Sequence, residues 1–221
     1  MDVIGFAARV LPFAVVMSFT PGPNNLMLAS AGSRFGFVRT IPHQLGVLIG
    51  FAIMMACVAL GIASLIAAVP SLYLVMKVAS VAYMLHLAWR IARAEGGGGP
   101  LSPSAGPIGF ATAVAFQWIN PKAWIQTLTA AGSYTNPSDP LGLQVALLTL
   151  LFAVVGVASI TTWVMFGQII RRYLTSPRRR TIFNRTMAVL LVASVVPVIF
   201  EGNAPSTSSS RQDEKVGDNG R

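Results

Sequence analysis

The chain alternates between long apolar runs and short breaks that gather its charges and prolines. Runs rich in Leu, Val, Ile, Ala, Met and Phe occupy 4–31, 44–66, 72–90, 108–132, 143–169 and 183–200. A helix needs about 20 such residues to cross a bilayer, so the pattern predicts an all-α polytopic membrane protein of about six transmembrane helices. The last run is the weakest. Only Met187 to Phe200 is free of strongly polar residues and Pro197 interrupts it, which leaves open an alternative with one span fewer. Near the start, Ala29-Ser30-Ala31 resembles a signal-peptide cleavage site. However, Met1-Asp2 is not a basic start, and the apolar region continues through Leu26-Met27-Leu28. An uncleaved first helix is expected.

Composition agrees with the pattern. Charged residues make up 10% of the chain, 54% of it is hydrophobic and the mean hydropathy is +0.65. Soluble domains carry about 25% charged residues. The net charge of +9 suggests nucleic acid until its placement is considered. Ten of the sixteen Lys and Arg residues are Arg34 and Arg39, Arg90 and Arg93, and Arg171, Arg172, Arg178, Arg179, Arg180 and Arg185, all in breaks between runs. The intervening breaks, 67–71 and 133–142, contain no Lys or Arg. Basic residues mark cytoplasmic loops, so the alternation predicts both termini outside. Tyr73 and Tyr134 then fall at outer ends of spans, Trp89 and Tyr173 at inner ends. No basic face remains to serve nucleic acid.

Gly96-Gly97-Gly98-Gly99, followed by Pro100, Pro103 and Pro107, reads as a flexible cytoplasmic linker over 96–107. It separates a first set of three spans, 1–95, from a second set, 108–200. The Ser-, Asp- and Gly-rich segment 201–221 reads as a disordered tail. An odd number of spans in each half makes any repeat between the halves inverted. In such transporters the site lies near the midplane, where helices are broken.

Two breaks of that kind are visible. In the first run, Thr20-Pro21-Gly22-Pro23-Asn24-Asn25 interrupts apolar sequence. Two prolines cannot donate backbone hydrogen bonds and obstruct the preceding turn. Backbone polar groups freed at membrane depth must be received by protein or by a water-filled cavity. In the fourth run, Gln117-Trp118-Ile119-Asn120-Pro121-Lys122 does the same at the matching place of the second half. At a helix centre Lys122 would cost roughly 2.5–3.5 kcal/mol on insertion. It should therefore face the interior or a cavity, as a site residue, a snorkelling cation or a tether to carbonyls. A packed kink is the plainer reading of the first break.

Other features carry less. Cys57 is the sole cysteine and reads as a small hydrophobe. His86 is either a proton carrier or, more simply, a hydrogen-bonded structural group. Lys77 snorkels or meets a substrate carboxylate. Gly46 and Gly50 form a small-xxx-small pair suited to close helix packing. The Arg171–Arg185 cluster is an anchor for topology that also suits anionic lipid.

The segment Ser18-Phe19-Thr20-Pro21-Gly22-Pro23-Asn24-Asn25 resembles the signature of the lysine-exporter (LysE/RhtB-type) family of amino-acid exporters. Phe110 to Trp124, with Asn120-Pro121-Lys122, and Lys77 to Leu85 resemble the family too, so the likeness covers roughly residues 5–200. Gly46 to Met55 and Ala82 to Arg93 look most like its cysteine and O-acetylserine branch. The resemblance implies a secondary transporter, not an enzyme and without a cofactor, in the bacterial inner membrane, exporting amino acids or close derivatives on the proton gradient. Its substrate would meet Thr20, Pro21, Gly22, Pro23, Asn24, Asn25, Asn120, Pro121 and Lys122. The substrate carboxylate would lie near Lys122 or freed amides, and its ammonium near freed carbonyls. One departure bears on coupling: many members have an acid in the second span, whereas all seven acids here lie in predicted loops or tails. The alternatives are a non-transporting assembly factor, a membrane enzyme, or a cation transporter of similar fold. Sparse intramembrane His, Asp and Cys disfavours the last two. The expected partners are a small amino-acid-type substrate and the lipid bilayer, with homo-oligomer formation left open.

Overall fold

The computed structural model describes residues 1–62, 70–93 and 106–200. The expected linker at 96–107 lies outside them except at its last two positions, as do the tail and most of the break at 67–71. The side chains of Lys77, Tyr73 and Arg90 are likewise outside the description. Every regular element among the described residues is helical.

The helices are α1 (Val3–Phe19), α2 (Pro23–Phe35), α3 (Ile41–Cys57), α4 (Pro70–Ala92), α5 (Phe110–Gln117), α6 (Pro121–Tyr134), α7 (Leu141–Ile170) and α8 (Pro177–Phe200). A short 3-10 turn, Val38–Thr40, leads into α3, and a π turn, Val58–Ile62, follows it. Proline supplies the first residue of α2, α4, α6 and α8. There its missing N–H is no loss and its fixed φ already suits the helix. The side chain of Asp2 caps α1 by accepting from the Gly5 N–H.

Val38–Gly61 and α7 are each long and apolar enough to cross a membrane, and α1 with α2 makes a third crossing if the pair, bent by 53°, is one span. The run expected at 4–31 is thus two helices, and that expected at 108–132 is α5 and α6. The last helix starts at Pro177, before the apolar run, and continues through Pro197 without stopping. Proline is tolerated in such helices because neighbouring groups satisfy what it frees.

α7 is the spine, packed along α2 most extensively and also against α3 and α1. α3 in turn packs on α5, and α4 on α8. Small residues set both main crossings. A Cβ on Gly46 would lie 2.5 Å from the Phe110 carbonyl oxygen, and one on Gly50 would lie 2.8 Å from the Val114 Cα. Gly32 faces the Val164 backbone while Gly167 faces that of Ala29, so α2 and α7 approach through reciprocal glycines. One core cluster joins Phe6, Val10 and Ala14 of α1 to Leu148, Phe152 and Val155 of α7. Another joins Leu26 and Met27 of α2 to Met84 and Leu87 of α4 and Leu191 of α8. Outward-facing Val16, Leu150, Val154 and Val189 are more than half exposed, a surface suited to lipid rather than water.

The two ends of the bundle differ. At one end the Met1 amino group lies 3.4 Å from the Asp139 carboxylate. Buried Gln144 clamps the loop beside it, accepting from the Asn136 N–H at 2.7 Å and donating to the Asn136 and Asp139 carbonyls. At the other end Arg34, Arg171 and Arg180 line a cavity of about 180 Å³ with Ser30, Ser33 and Asn184. The N-terminus and the arginine-free break 133–142 therefore share one end of the bundle.

Candidate functional site

The break between α1 and α2 spans Thr20 to Gly22, both in extended backbone. The carbonyls of Ser18 and Thr20 lose their helical partners here and are met by side chains instead. Asn25, in the first turn of α2, turns back so that its Nδ2 donates to the Ser18 carbonyl at 2.8 Å and to that of Thr20 at 2.9 Å. Ser159, on α7, donates to the same Ser18 carbonyl at 2.7 Å. The Lys122 ammonium completes the set by donating to the Thr20 carbonyl.

The second break is built alike. α5 ends at Gln117, and a tight turn through Trp118 and Ile119 leads to extended Asn120. Asn120 caps α6 by accepting from the Lys122 N–H at 3.1 Å. The Trp124 indole closes the turn by donating to the Trp118 carbonyl. The second residue of each following helix reaches over to the opposite break. Lys122 crosses to the end of α1, while Asn24 donates to Gln117 Oε1 at 2.8 Å at the end of α5. Gln117 is wholly buried and also donates to the Ala113 carbonyl at 2.9 Å.

Between the breaks lies a cavity that offers about 60 Å³ to the centres of water molecules. A single water needs roughly 10–15 Å³ on that measure, so there is room for a handful or for a small metabolite. Polar groups from Ser18, Asn24, Asn25, Asn120, Lys122, Gln126 and Ser159 line it, with Val47, Phe51, Phe152 and Ile160 forming an apolar wall. The helix caps Gly22 and Asn120 both face it, so the positive ends of the α2 and α6 dipoles open onto it. Gly22 makes room for the lysine: a Cβ there would lie 2.6 Å from Lys122 Cδ. One ionisable side chain, Lys122, is in the lining.

Of the residues singled out in the sequence, Gly22, Asn24, Asn25, Asn120 and Lys122 line the cavity. Thr20 lies outside the lining, its carbonyl receiving the Lys122 ammonium, while Pro21 is exposed and Pro23 and Pro121 are buried as helix starters. His86 is exposed on α4 with its ring 6.0 Å from that of Trp89, away from the lining. Sequence reasoning passed over Gln126 and Ser159. Gln126 lies one turn beyond Lys122, and that i, i+4 spacing was the available signal. Among the described residues, no three His, Cys, Asp or Glu side chains gather as a metal would need.

Over 192 residues, 86% of this chain and 95% of the relative, the sequence is 30% identical to the cysteine/O-acetylserine efflux protein of Klebsiella pneumoniae subsp. pneumoniae. It is 28% identical to the proteins of the same name from Escherichia coli and Salmonella typhi, over 85% of this chain and 94% of theirs. No solved structure matches the chain. Residues 15–201 match the LysE type translocators, covering both breaks and the cavity between them, and the chain belongs to that family.

Proposed function

We propose that this protein exports amino acids or close derivatives, of the size and polarity of cysteine and O-acetylserine, across the bacterial inner membrane on the proton gradient. The observation that carries the reading is the polar cavity between two broken helices in a chain of the LysE type translocator family. The relatives' names, cysteine/O-acetylserine efflux protein, favour that substrate class. A zwitterion needs one place for an anion and one for a cation. Helix N-terminal amides at Asn24 and Asn25 suit a carboxylate, with the Lys122 side chain beside them, and the Ser18 and Thr20 carbonyls suit an ammonium. The site would comprise Thr20, Pro21, Gly22, Pro23, Asn24, Asn25, Asn120, Pro121 and Lys122, the prolines by holding the breaks open, together with Gln126 and Ser159.

The architecture that goes with this function is two inverted three-helix repeats, 1–95 and 108–200, making six spans with both termini outside. Three facts favour it. Pro23 and Pro121 each start the helix after a break. The crossing contacts Asn24–Gln117 and Lys122–Thr20 are reciprocal. The second span of each half packs on the first of the other, α3 on α5 and α7 on α1.

The test is a tolerance and efflux screen in cells overproducing the protein, with cysteine, O-acetylserine, other amino acids and dipeptides. Protection and faster efflux are expected for a small polar amino acid. Protection against none of these compounds, with the protein present in the membrane, would overturn the reading.

A further inference from the structure

An exporter driven by protons needs a group that holds a proton when the substrate is absent. The carboxylate expected in the second span is missing from this chain. Resting on the export reading above, we propose that Lys122 is the coupling group, its ammonium and the substrate's competing for the Thr20 carbonyl so that a proton leaves as substrate binds.

The hydrogen bonds at the first break leave no vacancy. A carbonyl oxygen has two lone pairs. Those of Ser18 are taken by Asn25 and Ser159, and those of Thr20 by Asn25 and Lys122. Both N–H donors of the Asn25 amide are committed. A substrate ammonium can reach these carbonyls only by displacing a donor, and Lys122 has the longest and most flexible stem. Two ammonium groups brought onto one carbonyl repel each other. Neutralising the lysine removes that repulsion, and the neutral amine then accepts a hydrogen bond from the arriving ammonium.

The other charged and titratable groups on the surrounding helices are engaged elsewhere or lie outside the lining. Neither α5 nor α7 contains one. On α1, Asp2 caps the helix and Arg9 donates to the Gly5 carbonyl. On α2, Arg34 belongs to the arginine-rich end, as do the α8 arginines. On α3, His43 is buried near the helix start but does not line the cavity. On α4, His86 is exposed beside Trp89, and the side chains of Lys77 and Arg90 are outside the description. Tyr134 ends α6 at the opposite end from the break, beside a separate cavity.

In the exchange, an N–H bond of the Lys122 ammonium breaks heterolytically. The electron pair stays on Nζ and the proton passes to cavity water and the cytoplasm. The substrate ammonium takes the Thr20 carbonyl and its carboxylate takes the first-turn amides of α2. When substrate leaves outward, a proton from outside rebinds the same lone pair and Lys122 returns to Thr20. One proton enters per zwitterion exported.

The experiment is isothermal titration of the purified protein with O-acetyl-L-serine and with L-cysteine under reducing conditions, in buffers of different ionisation enthalpy and across pH 6–7.5, where both compounds remain zwitterions. The wild type is expected to release about one proton per molecule bound, with the apparent Kd tightening by up to tenfold per pH unit while the lysine is protonated. Lys122→Gln, which has no proton to give, should bind without release and without a pH slope. Should that variant not fold, Lys122→Arg serves, because a guanidinium keeps its proton and the release and slope should vanish together. Wild-type binding with no proton release, or either variant keeping the wild-type slope, would overturn the proposal. Binding of neither compound by folded wild type would overturn the export reading itself, a separate result from binding without release.

Discussion

The ammonium of Lys122, at the start of α6, donates to the main-chain carbonyl of Thr20 at the end of α1, 102 residues earlier in the chain. One contact thus links the two broken helices. With the substrate carboxylate beside the Lys122 side chain, Lys122→Met should reduce the initial efflux rate per membrane-inserted molecule by about tenfold or more, since a hydrogen bond between charged groups contributes about 1.5–3 kcal/mol and each 1.4 kcal/mol is tenfold. Immunoblotting of membranes must show normal abundance. A normal rate would remove Lys122 from the site and leave the broken backbone and the asparagines. Normal efflux per molecule with a collapsed yield would mark the lysine as a tether.

The reciprocal contact tests the other diagonal. Asn24→Ala and Gln117→Ala should each destabilise the protein, and together by less than their sum. Interhelical side-chain hydrogen bonds in membranes average about 0.6 kcal/mol and reach about 1.7. Gln117 is fully buried and bonded at both ends of its amide, so the upper part of that range is expected. Denaturant titration in mild detergent measures the double-mutant cycle, and strict additivity would show that the pair is not coupled.

Helix approach gives a sharper contrast. Gly50→Ala places a methyl 2.8 Å from the Val114 Cα, a backbone atom that cannot step aside, whereas Gly132→Ala meets nothing within 4 Å. Overpacking costs typically about 1–3 kcal/mol, so Gly50→Ala should lower the melting temperature of the purified protein by several degrees. Gly132→Ala should leave it unchanged or raised, because alanine is the better helix former. Equal melting temperatures would mean that α3 and α5 are not so close.

How much of this could be read from the chain varies with the physics. Pro21, Gly22, Pro23 and Asn120-Pro121 announce helix breaks locally, because a missing N–H and a freed carbonyl need no knowledge of the fold. Gly46 and Gly50 were legible as a packing face by their spacing, although not that α5 was the partner. Gly32 and Gly167 are 135 positions apart by their numbers and meet only through the α2–α7 crossing, so nothing local marks them. Ser159 and Gln126 are isolated polar residues in apolar helices, and only the three-dimensional arrangement says whether such a residue faces lipid, core or cavity. The early start of α8 was missed because apolar runs define spans, whereas Arg178 to Arg180 are good helix formers that prolong the helix beyond the apolar stretch.

Orientation can be tested from the contact between the Met1 amino group and Asp139, which ties the N-terminus to the loop between α6 and α7. That loop lacks Lys and Arg, whereas the opposite end gathers Arg34, Arg171 and Arg180 around one cavity. Because basic residues are retained on the cytoplasmic side, the loop and the N-terminus should lie outside. Ser138 and Thr175 are both exposed and sit at opposite ends of the bundle, which makes them suitable for cysteine labelling in a Cys57→Ser background. In intact cells stripped of outer-membrane barriers, an impermeant maleimide should label Ser138→Cys and spare Thr175→Cys until the membrane is opened. The reverse pattern would invert the protein and make the arginine cavity external. Labelling of both would mean that α7 does not cross, although its 30 residues are long and apolar enough to do so.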